Sequence, residues 1–383
     1  MIKFIKIILL FFLTLLTSAQ NIAADEKIKI GLLVPLSGKD AYIGQSIIKA
    51  TQLAINKINN SSIEILPKDT KSSPETTLRA TKELEQLGVK IVIGPVFNDS
   101  LMYLDEFKDI TFISLTNKII GNKKNIISAG INASSQLRTI KKFLELNEIN
   151  KTILLIPDVD YKDEVKKGVS NSKIKIFKSY IYDSEPTKLT KQIEKITDYP
   201  KRKQNLIDEI NRLEKSDEAN KDRLIERLNK LDTLGDVKFD SIIIADFNES
   251  LKSVTTSLLY TDIFPNEKYF ITLNQWFDES LLNETSSQPM YFPSINKKNY
   301  ENFKTEYFEK FGQHPNQLSF LSFDLVGLVY YLLFKNDLVV NETIFTKKTM
   351  FKGKIGTFEI KDSKISHVLN FYKIENKTFK KIF

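Results

Sequence analysis

The sequence predicts an α/β protein of two lobes, each a mostly parallel sheet flanked by helices, with a helical hairpin inserted in the second lobe. Short apolar runs alternate with amphipathic segments of helical period, and this alternation occurs twice along the chain. A strongly charged segment interrupts the second set. The 383 residues exceed one typical domain, and a hydrophobic share of 42% suffices for two cores. Strand and helix alternation favours parallel strands joined by right-handed crossovers.

The first 24 residues are typical of a secretory signal peptide. Lys3 and Lys6 precede an apolar run at 7–16, and small residues up to Ala24 offer cleavage points. The run is shorter than the roughly 20 residues that span a bilayer. The chain contains no cysteine, and therefore neither a disulfide nor a lipid-bearing cysteine. We expect a periplasmic protein without a permanent membrane span; the alternative is retention by an uncleaved anchor.

The first lobe is predicted to begin with a buried strand at 28–34, which Pro35 and Gly38 end. A helix at 45–59 follows, because its apolar residues recur at intervals of three and four. The remaining elements of this set are strands at 62–66, 89–93, 111–115 and 126–129 and a helix at 74–87.

The second set begins at Ser135 and contains both strands and helices. Strands are predicted at 152–157, 174–182, 240–245 and 269–272, and helices at 135–146, 162–170, 187–196 and 250–259. Two further helices, at 300–311 and 319–334, precede a strand pair at 353–360 and 366–374 with a turn at Asp362-Ser363. We expect the first lobe to comprise 27–132 plus 293–341 and the second 133–292 plus 342–383.

The charged segment at 200–234 is predicted to be the helical hairpin. Nine basic and eight acidic residues lie between 201 and 232, so its charges nearly cancel. Two apolar trios have the spacing of one helical face: Leu206, Ile210 and Leu213, then Leu224, Leu228 and Leu231. The segment is either a solvated decoration packed on its own lobe or a docking element for another protein.

Composition argues against several classes of function. Without Lys3 and Lys6 the chain carries 54 basic and 48 acidic residues, which are interleaved, so nucleic-acid binding is not indicated. The two histidines, His314 and His367, have no carboxylate or metal-ligand partner at useful spacing. Phosphate-binding glycine motifs are absent. We therefore expect a non-catalytic protein without a cofactor or a metal.

Polar and aromatic residues in loops that leave predicted strands are the candidate ligand-binding groups. Parallel strands deliver such loops to one edge of a sheet, where ligands bind. Hydroxyls and amides suit a carboxylate, a carboxylate suits an ammonium group, and an aromatic ring covers an apolar side chain. The alternative for each residue is a helix cap or a turn. The candidates are Ser37, Tyr42, Asn98, Ser100, Ser114, Thr116, Asp160, Tyr161, Asp246, Asn274 and Trp276.

Several segments resemble the type-1 periplasmic binding proteins, the superfamily of leucine/isoleucine/valine receptors. They are IKIGLLVPLSGKDAYIGQSIIKATQLAINKIN, IVIGPVFNDS, FISLT and the late block FEKFGQHPNQLSFLSFDLVGLVYYLL. The resemblance covers 27–373 and implies two lobes joined by three crossings, with a hinge and a cleft. At the receptors' amino-acid site, Tyr42, Ser100, Thr116, Tyr161 and Asp246 match by approximate position.

Within that superfamily the chain is most similar to the penicillin-binding protein activator branch. The segments are LDTLGDVKFDSIIIADF, LLYTDIFPNEKYFITLNQWFDE and FKGKIGTFEIKDSKISHVLNFYKI. That resemblance implies an envelope regulator that contacts a peptidoglycan synthase, although the branch's lipid-bearing cysteine is missing here. The alternative function is a receptor that delivers a branched-chain amino acid or a similar small solute to an ABC permease.

Overall fold

The computed structural model describes residues 27–118, 123–273, 276–340 and 344–383. The signal peptide predicted at 1–24 and the candidate residue Asn274 lie outside these ranges. The described residues form two α/β halves, and the predicted fold class is confirmed.

A parallel five-stranded sheet forms the centre of the first half, with the strand order β2-β1-β3-β4-β5. Its strands are β1 Ile28–Val34, β2 Ile63–Asp69, β3 Ile91–Ile93, β4 Thr111–Ser114 and β5 Ile126–Ser128. The last five residues of β1 are all buried, as expected for a central strand with both faces covered.

Two helices connect the first strands. Helix α1 spans Ala41–Ile58 and begins four residues earlier than its apolar period predicts. Helix α2 spans Pro74–Gln86, with proline in its first turn and the Ser73 hydroxyl accepting a hydrogen bond from the Thr76 amide. Short 3₁₀ turns at 99–101 and 104–106 connect β3 to β4.

A seven-stranded sheet forms the centre of the second half, in the order β15-β14-β10-β9-β8-β6-β7. The strands from β7 to β10 are parallel, and β14 and β15 extend the sheet in antiparallel pairing. These strands are β6 Thr152–Pro157, β7 Lys178–Tyr182, β8 Ser241–Ile244, β9 Tyr269–Thr272, β10 Met290–Ser294, β14 Asn370–Glu375 and β15 Thr378–Lys381.

Helices cover both faces of the second sheet. They are α3 Ala133–Leu146, α4 Lys162–Ser172, α5 Pro186–Ile196 and α8 Asn248–Tyr260. The sequence predicted one strand over 174–182, but only 178–182 pair in the sheet. The sequence predicted no strand at β10, which contains Pro293 and lies between β9 and β14 in the sheet.

The helices that follow β10 return to the first half. Helices α9 Lys297–Phe311 and α10 Gln317–Phe334 belong to its hydrophobic core. Among the described helices, α10 is long and apolar enough to cross a membrane, and most of its residues are buried inside the protein.

The C-terminal part differs from the sequence prediction. Three antiparallel strands, β11 Thr349–Lys352, β12 Thr357–Lys361 and β13 Lys364–Val368, form a separate sheet. Its buried residues share the core of the first half, so the assignment of the chain from 342 to the second lobe is wrong up to about Leu369. The predicted turn at Asp362-Ser363 is present, and both residues have positive φ.

The chain passes between the two halves three times. It does so at 129–132 between β5 and α3, at 295–296 between β10 and α9, and at Leu369 between β13 and β14. The Tyr372 hydroxyl donates to the Ile295 carbonyl at 2.9 Å, which links the second and third crossings.

The charged insert forms two helices, α6 Tyr199–Glu214 and α7 Lys221–Leu228. The buried Arg202 attaches its base to the second half. This guanidinium donates to the Thr197 carbonyl at 3.1 Å, to the Thr233 hydroxyl at 3.0 Å and to the Thr261 carbonyl. Burial lowers the pKa of Arg202, partly offset by the Asp262 carboxylate. The hairpin therefore has a fixed base.

Candidate functional site

A cavity of about 330 Å³ lies at the carboxyl ends of β3, β4 and β5. Loops that leave these strands form one wall, the start of α10 forms another, and Trp276 reaches it from the chain after β9. The lining residues are Val96, Phe97, Asn98, Leu115, Thr116, Asn117, Lys118, Gly130, Ile131, Trp276, Leu318 and Leu321. The cavity thus lies at the strand ends where parallel sheets bind ligands.

Three of the predicted site residues line this cavity: Asn98, Thr116 and Trp276. Thr116 is buried, and its hydroxyl accepts a hydrogen bond from the Lys118 amide at 3.2 Å. The other walls are mostly apolar, and the Trp276 ring lies 5.8 Å from the Tyr300 ring. An apolar group with one or two polar atoms suits such a space.

Two predicted hydroxyls near the cavity serve the protein itself. The Ser114 hydroxyl donates to the Pro95 carbonyl at 2.8 Å and so joins β4 to the loop after β3. Ser100 is 2% exposed in the 3₁₀ turn at 99–101, and its hydroxyl has no hydrogen-bond partner among the described residues. Ser100 does not line the cavity.

The loop after β1 is also closed by internal contacts. The Ser37 hydroxyl donates to Asp69 at 2.6 Å, and the Leu36 amide donates to the same carboxylate at 2.8 Å. Burial raises the pKa of Asp69, but these hydrogen bonds and that of the Lys71 amide bring it below its usual value. Asp69 thus holds Ser37 in place.

A second group of predicted residues meets at the strand ends of the other half. The buried Asp246 carboxylate, just after β8, accepts hydrogen bonds from the Tyr161 hydroxyl at 3.2 Å and the Tyr182 hydroxyl at 2.5 Å. The Phe247 amide donates to it at 2.9 Å. Burial and the Asp246 charge raise the pKa of Tyr161 and Tyr182, so both hydroxyls stay protonated donors.

The remaining candidates are exposed. Tyr42 is 64% exposed in the first turn of α1, and Asp160 is exposed in the loop before α4. Neither is among the residues that line the cavity.

Sequence reasoning missed several residues of both groups. Asp69 and Tyr182 supply the internal partners of Ser37 and Asp246, and Phe97, Leu318 and Leu321 supply cavity walls. Tyr182 ends the predicted strand that follows the strand before Asp160 along the chain, and the two strands pair in the sheet. Its position at a strand end could therefore have been noticed from the sequence. The described residues include no cluster of three or more potential metal ligands.

The two α/β halves and the three crossings define the type-1 periplasmic binding protein fold. Residues 27–173 match the sequence profile of the family described as periplasmic binding protein, which confirms the resemblance. No protein of curated function matches the chain.

Solved structures show the same fold over nearly the whole chain. A putative branched-chain amino acid ABC transporter protein from Rhodospirillum rubrum has a TM-score of 0.69 at 11% identity, covering 93% of this chain and 100% of that one. The C-domain of LpoA from Haemophilus influenzae, described as a regulator of PBP1A, has a TM-score of 0.61 at 14% identity, with coverage of 93% and 100%.

The isoleucine complex of LivJ from Streptococcus pneumoniae, a branched-chain amino acid binding protein, has a TM-score of 0.54 at 18% identity, with coverage of 93% and 98%. At these identities the likeness shows the fold alone, and the similar structures include both receptors and a regulator.

Proposed function

We propose that this protein is a non-catalytic envelope regulator that acts through contact with another protein, a peptidoglycan synthase, in the periplasm. The observation that carries the proposal is the internal use of the polar groups expected to hold an amino acid. Asp246 is engaged by two tyrosine hydroxyls, and Ser37 is engaged by Asp69. A carboxylate that already accepts three hydrogen bonds has little capacity left for a ligand ammonium group.

The hairpin supports contact with a protein. Arg202 fixes its base, while Ile207 is 46% exposed and Leu231 is 47% exposed. No residue of α7 is fully buried, although its sequence has a strong apolar face. Exposed apolar side chains on an element whose base is fixed are suited to burial against a partner.

The likeness to the LpoA C-domain agrees with this proposal, because that domain is described as a regulator of PBP1A. The likeness concerns the fold, and it is the hairpin together with the occupied polar groups that favours regulation over transport.

The test is a pull-down from envelope extract with the purified full chain as bait. We expect a cell-wall synthase among the captured proteins and its loss with Ile207→Glu/Leu231→Glu, which places charges on the hairpin. The control is Leu146→Glu, since Leu146 is 64% exposed outside the hairpin. Capture of no cell-wall enzyme by the unaltered chain contradicts the proposal, as does equal capture by both variants.

A second candidate function is supported by the cavity itself. Its apolar walls, the Thr116 hydroxyl and the Asn98 amide fit a small amino-acid-like solute delivered to an ABC permease. Thermal-shift measurements with amino acids test it, since a ligand at one hundred times its Kd stabilises by about 2.7 kcal/mol. A shift with a leucine-like ligand that Trp276→Ala abolishes favours the receptor function, and no shift favours the regulator.

A further inference from the structure

The edge strand β7 and the segment before it carry an unusual surface. β7 is the last strand of the seven-stranded sheet, and among the described strands it pairs only with β6. The backbone groups on its outer side therefore face away from the sheet. Edge strands of this kind accept an additional strand from another chain.

Every second side chain from 173 to 181 is exposed. This row contains two basic residues, then Phe177, which is 54% exposed, and finally Ile181, which is 48% exposed. Its members in order are Lys173, Lys175, Phe177, Ser179 and Ile181. The row is thus basic at one end and apolar at the other.

The charge of this segment is not balanced. The stretch 173–182 contains three lysines, the two of the row and Lys178, and no acidic residue. The lysines on both sides of it, Lys162, Lys166, Lys167 and Lys188, each form an ion pair with a carboxylate. Within the described parts of the chain, no carboxylate lies at ion-pair distance from the three lysines of the stretch.

We propose that β7 with the segment 173–177 is a docking edge for an extended, acidic segment of a partner protein, which adds a strand to the sheet. Carboxylates of that segment meet the lysines, and its apolar side chains cover Phe177 and Ile181. This inference rests on the proposed function, because it names the chemistry of the partner that the regulator contacts.

Lysines on an edge strand also protect a sheet from unwanted pairing. That role accounts for the three lysines but not for the half-exposed Phe177 and Ile181, which increase the tendency of an edge to pair. An acidic partner reconciles the two observations, since the charges select it and the apolar side chains hold it.

The experiment titrates the purified full chain with a synthetic eight-residue peptide of alternating glutamate and valine. We expect binding by calorimetry and slower amide exchange at 178–182. The variant Lys173→Glu/Lys175→Glu/Lys178→Glu should raise the Kd about tenfold, as three exposed ion pairs predict. The control Lys39→Glu/Lys82→Glu/Lys90→Glu makes the same charge change at exposed lysines of the first half and should leave the Kd unchanged.

Three results overturn the proposal: equal affinity for a lysine-valine peptide, equal affinity of the two triple variants, and binding to phosphatidylglycerol vesicles without peptide binding. The last result assigns the surface to a membrane. Circular dichroism verifies that each variant is folded. If the acidic peptide binds but no cell-wall synthase is captured, the docking edge stands and the proposed function fails; capture without peptide binding shows the opposite.

Discussion

The imidazole of His367 lies where the two halves join. It is 4% exposed on β13, and its Nε2 is 2.7 Å from the Ala129 carbonyl at the first crossing. The backbone amide of His367 donates to the Ser135 hydroxyl at the start of α3. Burial lowers the pKa of His367 from 6.5 to about 4, the Ala129 hydrogen bond opposes this, and the Arg138 charge adds to it.

We predict that His367 makes the protein less stable in acid. Its folded pKa lies below its unfolded pKa, so the unfolded chain binds the proton first as the pH falls below 6.5. Stability from this residue is complete above pH 6.5 and falls by about 3 kcal/mol toward pH 4. We expect the free energy of unfolding of His367→Gln, measured with denaturant between pH 4 and 7, to lack this dependence on pH.

The exposed His314 supplies the control, because His314→Gln changes the only other histidine of the chain. The free energy of unfolding of His314→Gln should depend on pH as it does in the unaltered protein. If the free energy of unfolding of His367→Gln depends on pH as in the unaltered protein, the buried imidazole does not control acid stability.

At the scale of elements, two helical glycines differ in what surrounds them. A Cβ at Gly44 in α1 would lie 1.8 Å from the Pro35 carbonyl oxygen, whereas a Cβ at Gly327 in α10 meets only the Phe351 ring edge at 3.4 Å. The first distance is impossible without moving the backbone, and the second is an ordinary contact.

We therefore predict opposite outcomes for two identical substitutions. Gly44→Ala should destabilise by about 2 kcal/mol or more, because α1 must move away from the loop after β1. Gly327→Ala should be neutral or stabilising by up to about 1 kcal/mol, since alanine favours a helix more than glycine does. Equal melting temperatures for the two variants would contradict the close approach of α1.

The buried Arg202 side chain holds the base of the hairpin. Arg202→Met removes the donors to two buried carbonyls and to the Thr233 hydroxyl, which keeps its hydrogen bond to Asp262, and we expect a cost of roughly 2–4 kcal/mol. Amide exchange should become faster at 199–234, where the base is released. Lys201→Met, an exposed neighbour, should change stability by less than about 0.5 kcal/mol. Protection of the hairpin in Arg202→Met equal to that in the control would contradict this role.

At the scale of the molecule, the halves have separate cores. Leu32 lies in the core that contains α9 and α10, and Ile242 lies in the core between the seven-stranded sheet and α5 and α8. Each truncation to alanine should cost about 2–5 kcal/mol. Because the two clusters share no buried residue, the double variant Leu32→Ala/Ile242→Ala should show the sum of the two costs within about 0.5 kcal/mol.

The comparison is a pair of truncations within one core. Leu32 and Ile93 both lie in the core of the first half and are register partners on β1 and β3. The cost of Leu32→Ala/Ile93→Ala should deviate from the sum of the two single costs by about 0.5 kcal/mol or more, because the two neighbouring truncations open one shared cavity. Denaturant unfolding of all variants gives both sums. Equal coupling in the two pairs would show that the cores are not energetically separate.

Several elements could be predicted from sequence because their signals are local. The buried run of β1, the apolar period of α1 and each apolar trio of the hairpin lie within about 20 residues, which is the range over which periodicity acts. The internal strand β10 and the strand β11 were missed, because β10 pairs with β14 and β11 pairs with β12 only in the folded chain.

Local apolar periodicity was sufficient to predict the α/β alternation, the two halves and the charged hairpin. Long-range contacts, by contrast, place the third crossing at Leu369 and give Ser37 and Asp246 their internal partners. Asp246 and Tyr182 lie 64 positions apart, and Ser37 and Asp69 lie 32 apart. Whether a polar side chain faces a cavity or a neighbour depends on such distant contacts, which chain folding alone brings together.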